Sequence, residues 1–248
     1  MKHFILFIIL FGSTILFHPS DLNAQIVVLQ YRSVPQNNIA DFIFRETTYW
    51  SEVASKAIRE GKMLKWELWQ RSGGYEMHGD AHNFIFLNVY EDKYDLDEHI
   101  WDITKVFHNI RVTDMETTSL GKTIHELVLE KHKQAGLAQG KYAKFNYTKV
   151  YDMPSFMKFE SEEWYPFIDK AIREGDTSFI GWGLYSVITP TGSEIPFDAI
   201  TIDHFDLYSE AVIPRWTEDL VYPDTEASLT ARNRVLTQIY QLVVSVPN

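Results

Sequence analysis

Apolar and polar positions follow the same order of patterns twice along the chain. Residues 25–33 and 141–151 are rich in Val, Tyr and Phe and alternate or run apolar, which predicts a strand at the start of each half. Residues 39–58 and 153–172 then carry apolar side chains at helical spacing, and a glycine follows each predicted helix. The other predicted strands are 63–71, 82–90, 122–131, 179–188, 197–205 and 234–246. The segment 122–131 also fits a helix that runs toward Gly136.

A second helix is expected in each half, between the third and fourth strands. Four apolar residues of the first half share one helical side, and they are Leu96, Ile100, Ile103 and Phe107. The counterpart begins at Tyr208 and is interrupted by Pro214. Pro166 lies inside the first helix of the second half and predicts a kink or restart near Ser161, whereas the first half has no such defect.

An internal repeat explains why the order recurs. The segment Lys-Ala-Ile-Arg-Glu-Gly at 56–61 returns at 170–175, which is 114 positions later. The same offset pairs Phe42 with Phe156, Glu46 with Glu160 and Trp50 with Trp164. The sequence therefore predicts two copies of one β-α-β-β-α-β unit, residues 25–136 and residues 137–248, each with a ferredoxin-like arrangement.

The sheet of such a unit has helices on one side only, so its other face must be buried against something. The second copy is the expected partner, which makes the chain an intramolecular pseudo-dimer with a barrel between its halves. No higher oligomeric state is predicted.

The repeat order, the junction of helix, glycine and strand, and the pattern Trp-x-Leu-aromatic at 66–69 and 182–185 resemble the dimeric α+β barrel superfamily. That superfamily includes antibiotic-biosynthesis-type monooxygenases, haem-degrading monooxygenases and chlorite-dismutase-like proteins. Within it, the chain resembles an uncharacterised family of exported bacterial proteins in which two units are fused. The resemblance implies an α+β fold of two tandem units and brings no catalytic assignment with it.

The first 24 residues have the layout of a secretory signal peptide. A short basic start precedes an apolar run of 14 residues from Phe4 to Phe17, and a polar stretch ends at Ala24. A spanning helix needs about 20 apolar residues, so a membrane anchor is the weaker interpretation. We therefore expect cleavage after Ala24, export to the periplasm or the cell exterior, and no integral membrane segment afterwards.

Composition narrows the chemistry. The chain has no cysteine, which excludes disulfides, cysteine nucleophiles and cysteine-ligated zinc. Its net charge of −11 argues against nucleic acid as a partner, because phosphate recognition needs clustered Lys and Arg. The sequence has no phosphate-binding glycine loop, no Gly-x-Ser-x-Gly elbow and no His-Glu-x-x-His motif. No cofactor is predicted.

One histidine-containing segment has a spacing that would suit metal ligands. His78, Asp80 and His82 recur at a spacing of two, which on a strand directs all three side chains to one side. The second half has no counterpart, and a polar hairpin end explains the segment equally simply. The sequence therefore predicts no metal, with these three residues as the remote alternative.

Polar residues on otherwise apolar strands are candidates for a ligand pocket, because they need a partner when buried. Asn88 and Asp203 occupy equivalent positions, and both point into the barrel if the helices cover the face that carries Ile85 and Ile200. His204 then lies near a helix. The choice of face also decides which aromatic pair lies inside the barrel, and the two possibilities are Trp66 with Trp182 or Trp69 with Tyr185. The predicted pocket is therefore Trp66, Trp69, Asn88, His125, Trp182, Tyr185 and Asp203.

Three functions fit these observations. The first is binding of a small apolar or aromatic ligand in the barrel, which the many Trp and Tyr residues favour. The second is a monooxygenase or isomerase that acts on an aromatic or haem-like substrate with the help of Asn88, Asp203 and a nearby His or Trp. The third is a structural module that pairs with another exported protein. The sequence identifies no catalytic residue.

Overall fold

The computed structural model describes residues 25–74, 82–97, 99–193, 195–224 and 226–247. The strands are β1 (Ile26–Ser33), β2 (Lys65–Gly74), β3 (Phe84–Tyr90), β4 (Lys122–Gly136), β5 (Tyr142–Val150), β6 (Gly181–Thr189), β7 (Ala199–Phe205) and β8 (Arg232–Pro247). The α-helices are α1 (Ile39–Arg45), α2 (Ser51–Arg59), α3 (Val112–Met115), α4 (Met153–Phe159), α5 (Tyr165–Glu174), α6 (Tyr208–Val212) and α7 (Glu226–Ala231). None of the helices in these ranges is long and apolar enough to cross a membrane.

The eight strands form one closed antiparallel barrel in the order β1-β3-β2-β8-β5-β7-β6-β4. Read within each repeat, the orders are β4-β1-β3-β2 and β8-β5-β7-β6, which is the ferredoxin-like order in both units. The two sheets join along their edges, because β2 pairs with β8 and β4 pairs with β6. The predicted α+β fold of two ferredoxin-like units in a barrel is confirmed.

Each unit supplies its last strand as the bridge to the other unit. β4 is a 15-residue strand that pairs with both β1 and β6, so the alternative of a helix running toward Gly136 is wrong. β8 does the same between β5 and β2. Closure in this way leaves neither sheet with an unpaired edge strand, which stabilises the barrel and removes a template for aggregation.

The first helix of each unit contains a wide π-turn, so the prediction of a defect in the second unit alone is wrong. Residues Glu46–Trp50 form this turn between α1 and α2, and residues Glu160–Trp164 form it between α4 and α5. Pro166 lies in the first turn of α5, where a missing N–H costs little. The two turns sit at matching positions of the repeat, so the proline is not their common cause.

The second helix of the first unit is much shorter than predicted. Leu96 and Ile103 lie on isolated 3₁₀ turns, Lys93–Asp97 and Ile103–Lys105, whereas Ile100 and Phe107 lie outside regular secondary structure. The short helix α3 follows them. Aspartate side chains accept hydrogen bonds from backbone N–H groups in this segment: Asp102 accepts one from the Thr104 N–H at 3.1 Å. Such local bonds compete with a regular helix. The second unit retains only α6 before the segment that leads to α7.

Alternate residues of each strand divide between two environments. The barrel interior is filled by a cluster of buried residues from both units, among them Val27, Leu29, Ile85, Leu87, Phe145, Ile200 and Ile202. The other face of each sheet packs under helices, around Phe42 in the first unit and Phe156 in the second. The bridging strands β4 and β8 also contact α5 and α2, which belong to the other unit. The helices therefore cover the face opposite to Ile85 and Ile200.

Candidate functional site

A cavity of about 300 Å³ lies in the first unit between the outer face of the sheet and the first helix. Its walls come from β1, β2, β3, the π-turn, the segment between β3 and β4, and the start of β4. The lining residues are Gln30, Arg32, Glu46, Trp50, Trp66, Phe86, Asn88, Trp101, Thr117, Thr118 and Thr123. Aromatic rings and a few polar groups share this lining, as is usual for small-molecule sites.

Strand alternation and the π-turn bring the key side chains together. Arg32 on β1, Trp66 on β2 and Asn88 on β3 all point to the helix side, because the inward positions of these strands carry the barrel core. In the π-turn, the Ser51 N–H reaches the carbonyl of Glu46, five residues earlier. This wider turn sets Glu46 against the sheet, and π-turns are often found at functional sites.

A chain of hydrogen bonds connects the polar groups of the cavity. Thr117 donates its hydroxyl to Glu46 Oε1 at 2.6 Å, and Arg32 Nη2 donates to the Thr117 carbonyl at 3.1 Å. Glu46 is only 3% exposed and Arg32 only 6%. Thr117 therefore links a buried carboxyl group to a buried guanidinium group.

Burial controls the titration of this acid. Burial raises the pKa of Glu46 to about 7, although the Thr117 hydrogen bond and the Arg32 charge act in the opposite direction. Burial also lowers the pKa of the Arg32 guanidinium, against the attraction of Glu46 and Glu116. A carboxyl group with a pKa near 7 both accepts and releases a proton at neutral pH, which is the property of a general base.

Two polar atoms of the cavity walls have no hydrogen-bond partner within the described residues. They are Arg32 Nε and Asn88 Oδ1, both buried. Asn88 Nδ2 makes one long bond, to the Val28 carbonyl at 3.3 Å. A buried polar atom without a partner costs roughly 1–3 kcal/mol, so a ligand that satisfied both atoms would be stabilised by them.

Aromatic side chains form the apolar part of the cavity wall. The Trp66 and Phe86 rings lie 5.8 Å apart, and the Trp50 and Trp101 rings lie 6.4 Å apart. Trp50 is anchored by its indole N–H, which donates to the Met115 carbonyl at 3.1 Å. Trp101 is 41% exposed and lies where the cavity meets solvent. Flat aromatic substrates suit such walls.

At the equivalent place in the second unit, the polar groups form hydrogen bonds and an ion pair with one another. Glu160 forms an ion pair with Arg232, and burial raises the pKa of Glu160 to about 7 against the attraction of that guanidinium. Asn146 Nδ2 donates to Asp203 at 2.8 Å and to Thr201 at 3.2 Å. Burial raises the pKa of Asp203 to about 6, while the Asn146 hydrogen bond opposes the shift.

The structure divides the sequence-predicted pocket residues among several places. Trp69 and Tyr185 belong to the barrel interior, while Trp66 and Asn88 line the cavity of the first unit. Trp182 packs beneath the helices of the second unit. The prediction that placed Asn88 and Asp203 inside the barrel, which depended on the choice of face, does not hold.

The remaining predicted residues also separate. Asp203 lies under the helices of the second unit and therefore cannot share one site with Asn88. His204 is in the barrel, where its ring centroid lies 6.1 Å from that of Trp69. His125 is exposed, with its ring centroid 6.4 Å from that of Tyr31, near one barrel mouth.

The histidine-containing segment lies only partly within the described residues. His78 and Asp80 lie outside the described residues, and His82 Nε2 lies 2.7 Å from the Tyr240 hydroxyl. Among the residues that the structure describes, no group of three or more His, Cys, Asp or Glu side chains is arranged to hold a metal ion.

Sequence reasoning missed Arg32, Glu46 and Thr117. A signal for Glu46 was present, because Glu46 follows Phe42 by four positions and precedes Trp50 by four, which puts an acid on the apolar face of the helix. The repeat pairs it with Glu160, but that pairing alone indicates only common descent of the halves. No sequence pattern connects Arg32 with Thr117, which is 85 positions away.

No protein-family model and no curated protein sequence matches the chain. Solved structures do match its fold. A protein of Lactobacillus acidophilus NCFM that is provisionally named a monooxygenase aligns with a TM-score of 0.56 and 12% identity, over 90% of this chain and 96% of that one. An anthrone oxidase-like protein aligns with a TM-score of 0.54 and 11% identity, over 91% of this chain and 93% of that one. The chain therefore has the fold of the dimeric α+β barrel superfamily, with both halves of the barrel supplied by one polypeptide.

Proposed function

We propose that the chain is an enzyme that removes a proton from a small aromatic substrate in the cavity of the first unit. The observation that carries this proposal is a buried glutamate, Glu46, with a pKa near 7 in a cavity whose walls also hold two polar atoms without a partner in the described ranges. Perturbed acids in concave, partly apolar sites are characteristic of catalytic centres.

Glu46 is the proposed general base. At neutral pH a large fraction of a carboxyl group with a pKa of about 7 is ionised, and its weak hydration in the buried site makes it a stronger base than an exposed glutamate. Thr117 holds the carboxylate in place through its 2.6 Å hydrogen bond. Thr117 is thus a positioning residue, and Glu46 is the group that takes the proton.

Arg32 and Asn88 are the proposed contacts for the rest of the substrate. A carbonyl or phenol oxygen conjugated to the reacting carbon becomes negative as the proton leaves, and a guanidinium N–H stabilises such an oxygen. Arg32 Nε is buried and has no hydrogen-bond partner among the described residues, so it is available for this role. Asn88 Oδ1 accepts a hydrogen bond from a substrate hydroxyl.

Two reactions can follow from the resulting carbanion. Return of the proton from Glu46 to another carbon gives an isomerase. Reaction with dioxygen gives a monooxygenase: the carbanion adds O₂, Glu46 returns the proton to the peroxide, and loss of water converts an activated CH₂ and O₂ to C=O and H₂O. The second reaction needs no reductant, because the substrate methylene supplies all the electrons.

The fold neighbours support the oxygenase branch. One matching structure with a TM-score above 0.5 is provisionally named a monooxygenase, and another is described as anthrone oxidase-like. At 12% and 11% identity they establish the fold alone, so the argument for chemistry rests on Glu46 and its surroundings.

The test uses anthrone, which has an activated methylene between two aromatic rings. Under anaerobic conditions in D₂O, NMR measures exchange of the methylene protons, which reports the proton-abstraction step alone. In air, an oxygen electrode and the absorbance of the quinone product measure the complete reaction. We expect Glu46→Gln to lower both rates by about 100-fold or more, because general-base catalysis typically contributes that much.

The repeat offers a matched control for this test. Glu160→Gln changes the equivalent buried acid of the second unit. It is expected to leave both rates within about threefold of the wild type, because Glu160 does not line the proposed catalytic cavity. Equal rates in the wild type and Glu46→Gln would refute the role of Glu46. If wild-type protein accelerated neither exchange nor oxidation, the proposal for this substrate class would be abandoned.

A second candidate function is ligand binding inside the barrel, as the sequence predicts. Side chains fill the middle of the barrel, but a cavity of about 220 Å³ remains at the end where β1 and β2 begin, and this observation favours the candidate. The third hypothesis, a module that pairs with another exported protein, stays a prediction.

We also propose that the protein is exported. The signal-like pattern of residues 1–24, which lie outside the described residues, supports this proposal. Expression of the full chain in a bacterial host, followed by cell fractionation and N-terminal sequencing, is expected to give an extracytoplasmic protein that starts at Gln25. An uncleaved cytoplasmic product would contradict it.

A further inference from the structure

We infer that the barrel-end cavity binds a small organic anion, with its carboxylate between Lys65 and Lys131 and its apolar body inside the barrel. The cavity lies between the two repeats, because Lys65 belongs to β2, Lys131 to β4, and Tyr185 and His204 to the second unit. This inference rests on the ligand-binding candidate function and is independent of the chemistry proposed for Glu46.

The charged side chains around the cavity give the first reason to expect an anion. Lys65 forms an ion pair with the buried Glu67, whose other contacts are Trp69 and Ser245. Lys131 Nζ donates to Gln25 Oε1 at 3.1 Å, and within the described residues no carboxylate forms an ion pair with it. Two ammonium groups and one carboxylate therefore leave one positive charge at this end of the barrel.

The charged form of Lys131 is destabilised by its surroundings. Burial lowers the pKa of the Lys131 ammonium, and repulsion from Lys65 lowers it further. The whole chain has a net charge of −11, so a positive site at a partly buried position is not the result of a generally basic surface. An anion bound between the two lysines would relieve their repulsion and gain strength from the low local dielectric.

His204 supplies the second, independent observation. It lines the cavity, is 3% exposed, and its Nδ1 atom is buried without a hydrogen-bond partner in the described part of the chain. Burial, with the nearby charges of Lys65 and Lys131, lowers the pKa of His204 to about 3, so the ring is neutral at pH 7. A neutral imidazole has one N–H to donate, and a carboxylate oxygen is a suitable acceptor.

The shape and apolar lining of the cavity define the rest of the ligand. Val27, Leu87 and Val89 line it beside the ring of Tyr185. An apolar cavity of about 150 Å³ is large enough for benzene, so a volume of about 220 Å³ suits a benzene-sized body with a carboxylate attached. Inorganic anions would leave the apolar wall unused. The expected class is therefore a small aromatic or short aliphatic carboxylate.

The test is calorimetric titration of the full chain with benzoate, and with benzamide as the uncharged analogue. We expect saturable benzoate binding and at least tenfold weaker binding of benzamide. Lys131→Gln should weaken benzoate binding at least tenfold, because it removes a charge-assisted contact, and Lys131→Arg should restore binding to within about threefold, because it keeps the positive charge. Circular dichroism and the unfolding temperature establish that each variant is folded.

Lys133→Gln is the matched control, because Lys133 lies two positions along the same strand and its ammonium packs over the Tyr165 ring. Its benzoate affinity should equal that of the wild type. Equal affinity of folded Lys131→Gln and the wild type would overturn the inference, as would benzamide binding as tightly as benzoate or a wild type that does not bind benzoate below about 10 mM.

Glu46→Gln separates this site from the proposed catalytic cavity. Unchanged benzoate affinity in that variant supports the barrel-end site. An affinity that changed in Glu46→Gln but not in Lys131→Gln would assign benzoate to the first unit's cavity and refute the inference. Anthrone turnover by Lys131→Gln is expected to match the wild type, so the two proposals fail independently.

Discussion

Tyr31 and Tyr147 occupy equivalent positions in the two repeats, and their hydroxyl oxygens lie 3.1 Å apart inside the barrel. Each comes from the first strand of its unit and is fully enclosed, so burial raises both pKa values, to about 12 for Tyr147. The contact joins the two halves inside the barrel by a polar interaction, close to a second one in which His82 Nε2 lies 2.7 Å from the Tyr240 hydroxyl.

This tyrosine pair can be tested by a double-mutant cycle. Tyr31→Phe and Tyr147→Phe should each lower the free energy of unfolding by about 1 kcal/mol, because each leaves one buried hydroxyl without that partner. The double variant should lose less than the sum of the two, with a coupling energy of about 0.5–1 kcal/mol. Urea denaturation measures these values, and strict additivity would show that the hydroxyls do not interact.

Glu46 predicts a specific pH dependence of stability. Its pKa is about 7 in the folded protein and near its ordinary value of 4.5 in the unfolded chain, so the folded state holds a proton that the unfolded state has lost between these pH values. The free energy of unfolding should therefore fall as pH rises from 4.5 to 7, by about 3 kcal/mol from this group. Denaturation of Glu46→Gln over this window should give a flatter curve. An unchanged slope would contradict the assignment.

Thr117 predicts a shift in the pH profile of activity. Its hydrogen bond favours the ionised form of Glu46, so Thr117→Val should raise the pKa of Glu46 further and move the acidic limb of kcat/KM for proton exchange to higher pH, by about one unit. Thr118→Val is the control, because Thr118 bonds Glu116 instead. A uniform loss of rate without a shift of the limb would indicate only structural damage.

The ion pair of Arg232 with Glu160 predicts a pH-dependent loss of stability. Arg232→Met should destabilise the protein by about 3 kcal/mol at pH 7, because a buried carboxylate loses its counter-charge. At pH 5 the loss should be smaller, since Glu160, with a pKa of about 7, is then mostly protonated in the wild type as well. The exposed Arg234→Met variant should change stability by less than about 0.5 kcal/mol. Equal losses at both pH values would exclude this explanation.

Where β4 pairs with β6, the backbone around Gly181 leaves no room for a larger side chain. A Cβ atom at this position would lie 1.7 Å from the Leu137 carbonyl oxygen, which is backbone and cannot move aside like a flexible side chain. Gly181→Ala should therefore lower the free energy of unfolding by about 3 kcal/mol or more, measured by urea denaturation. A loss below about 0.5 kcal/mol would mean that the two strands separate easily here.

The fold was largely predictable because the repeat is strong and each strand is bounded by turn residues. The order of strands within each unit follows from the βαββαβ pattern alone. The pairing of β4 with β6 and of β8 with β2 does not follow, because backbone hydrogen bonding along a strand edge leaves no pattern in the sequence that identifies the partner strand. The prediction of two sheets face to face therefore missed that they join along their edges.

The inward face of the strands could not be chosen from the sequence for a physical reason. Every residue of β3 and of β7 is buried, since one face packs in the barrel and the other packs under helices. Alternation of apolar and polar residues, which normally identifies the inner face, is therefore absent. The candidate site is harder still to predict from the sequence, because Arg32, Glu46 and Thr117 come from three separate segments.

The fusion of both halves into one chain has a consequence for substitutions. In a barrel made from two identical subunits, every mutation appears twice and alters both sites together. Here a change at Glu46 leaves Glu160 untouched, so one acid can remain in an open cavity while its twin is neutralised by Arg232. Single-site variants of this protein thus probe one half against an intact internal reference, an experiment that a symmetric homodimer does not permit.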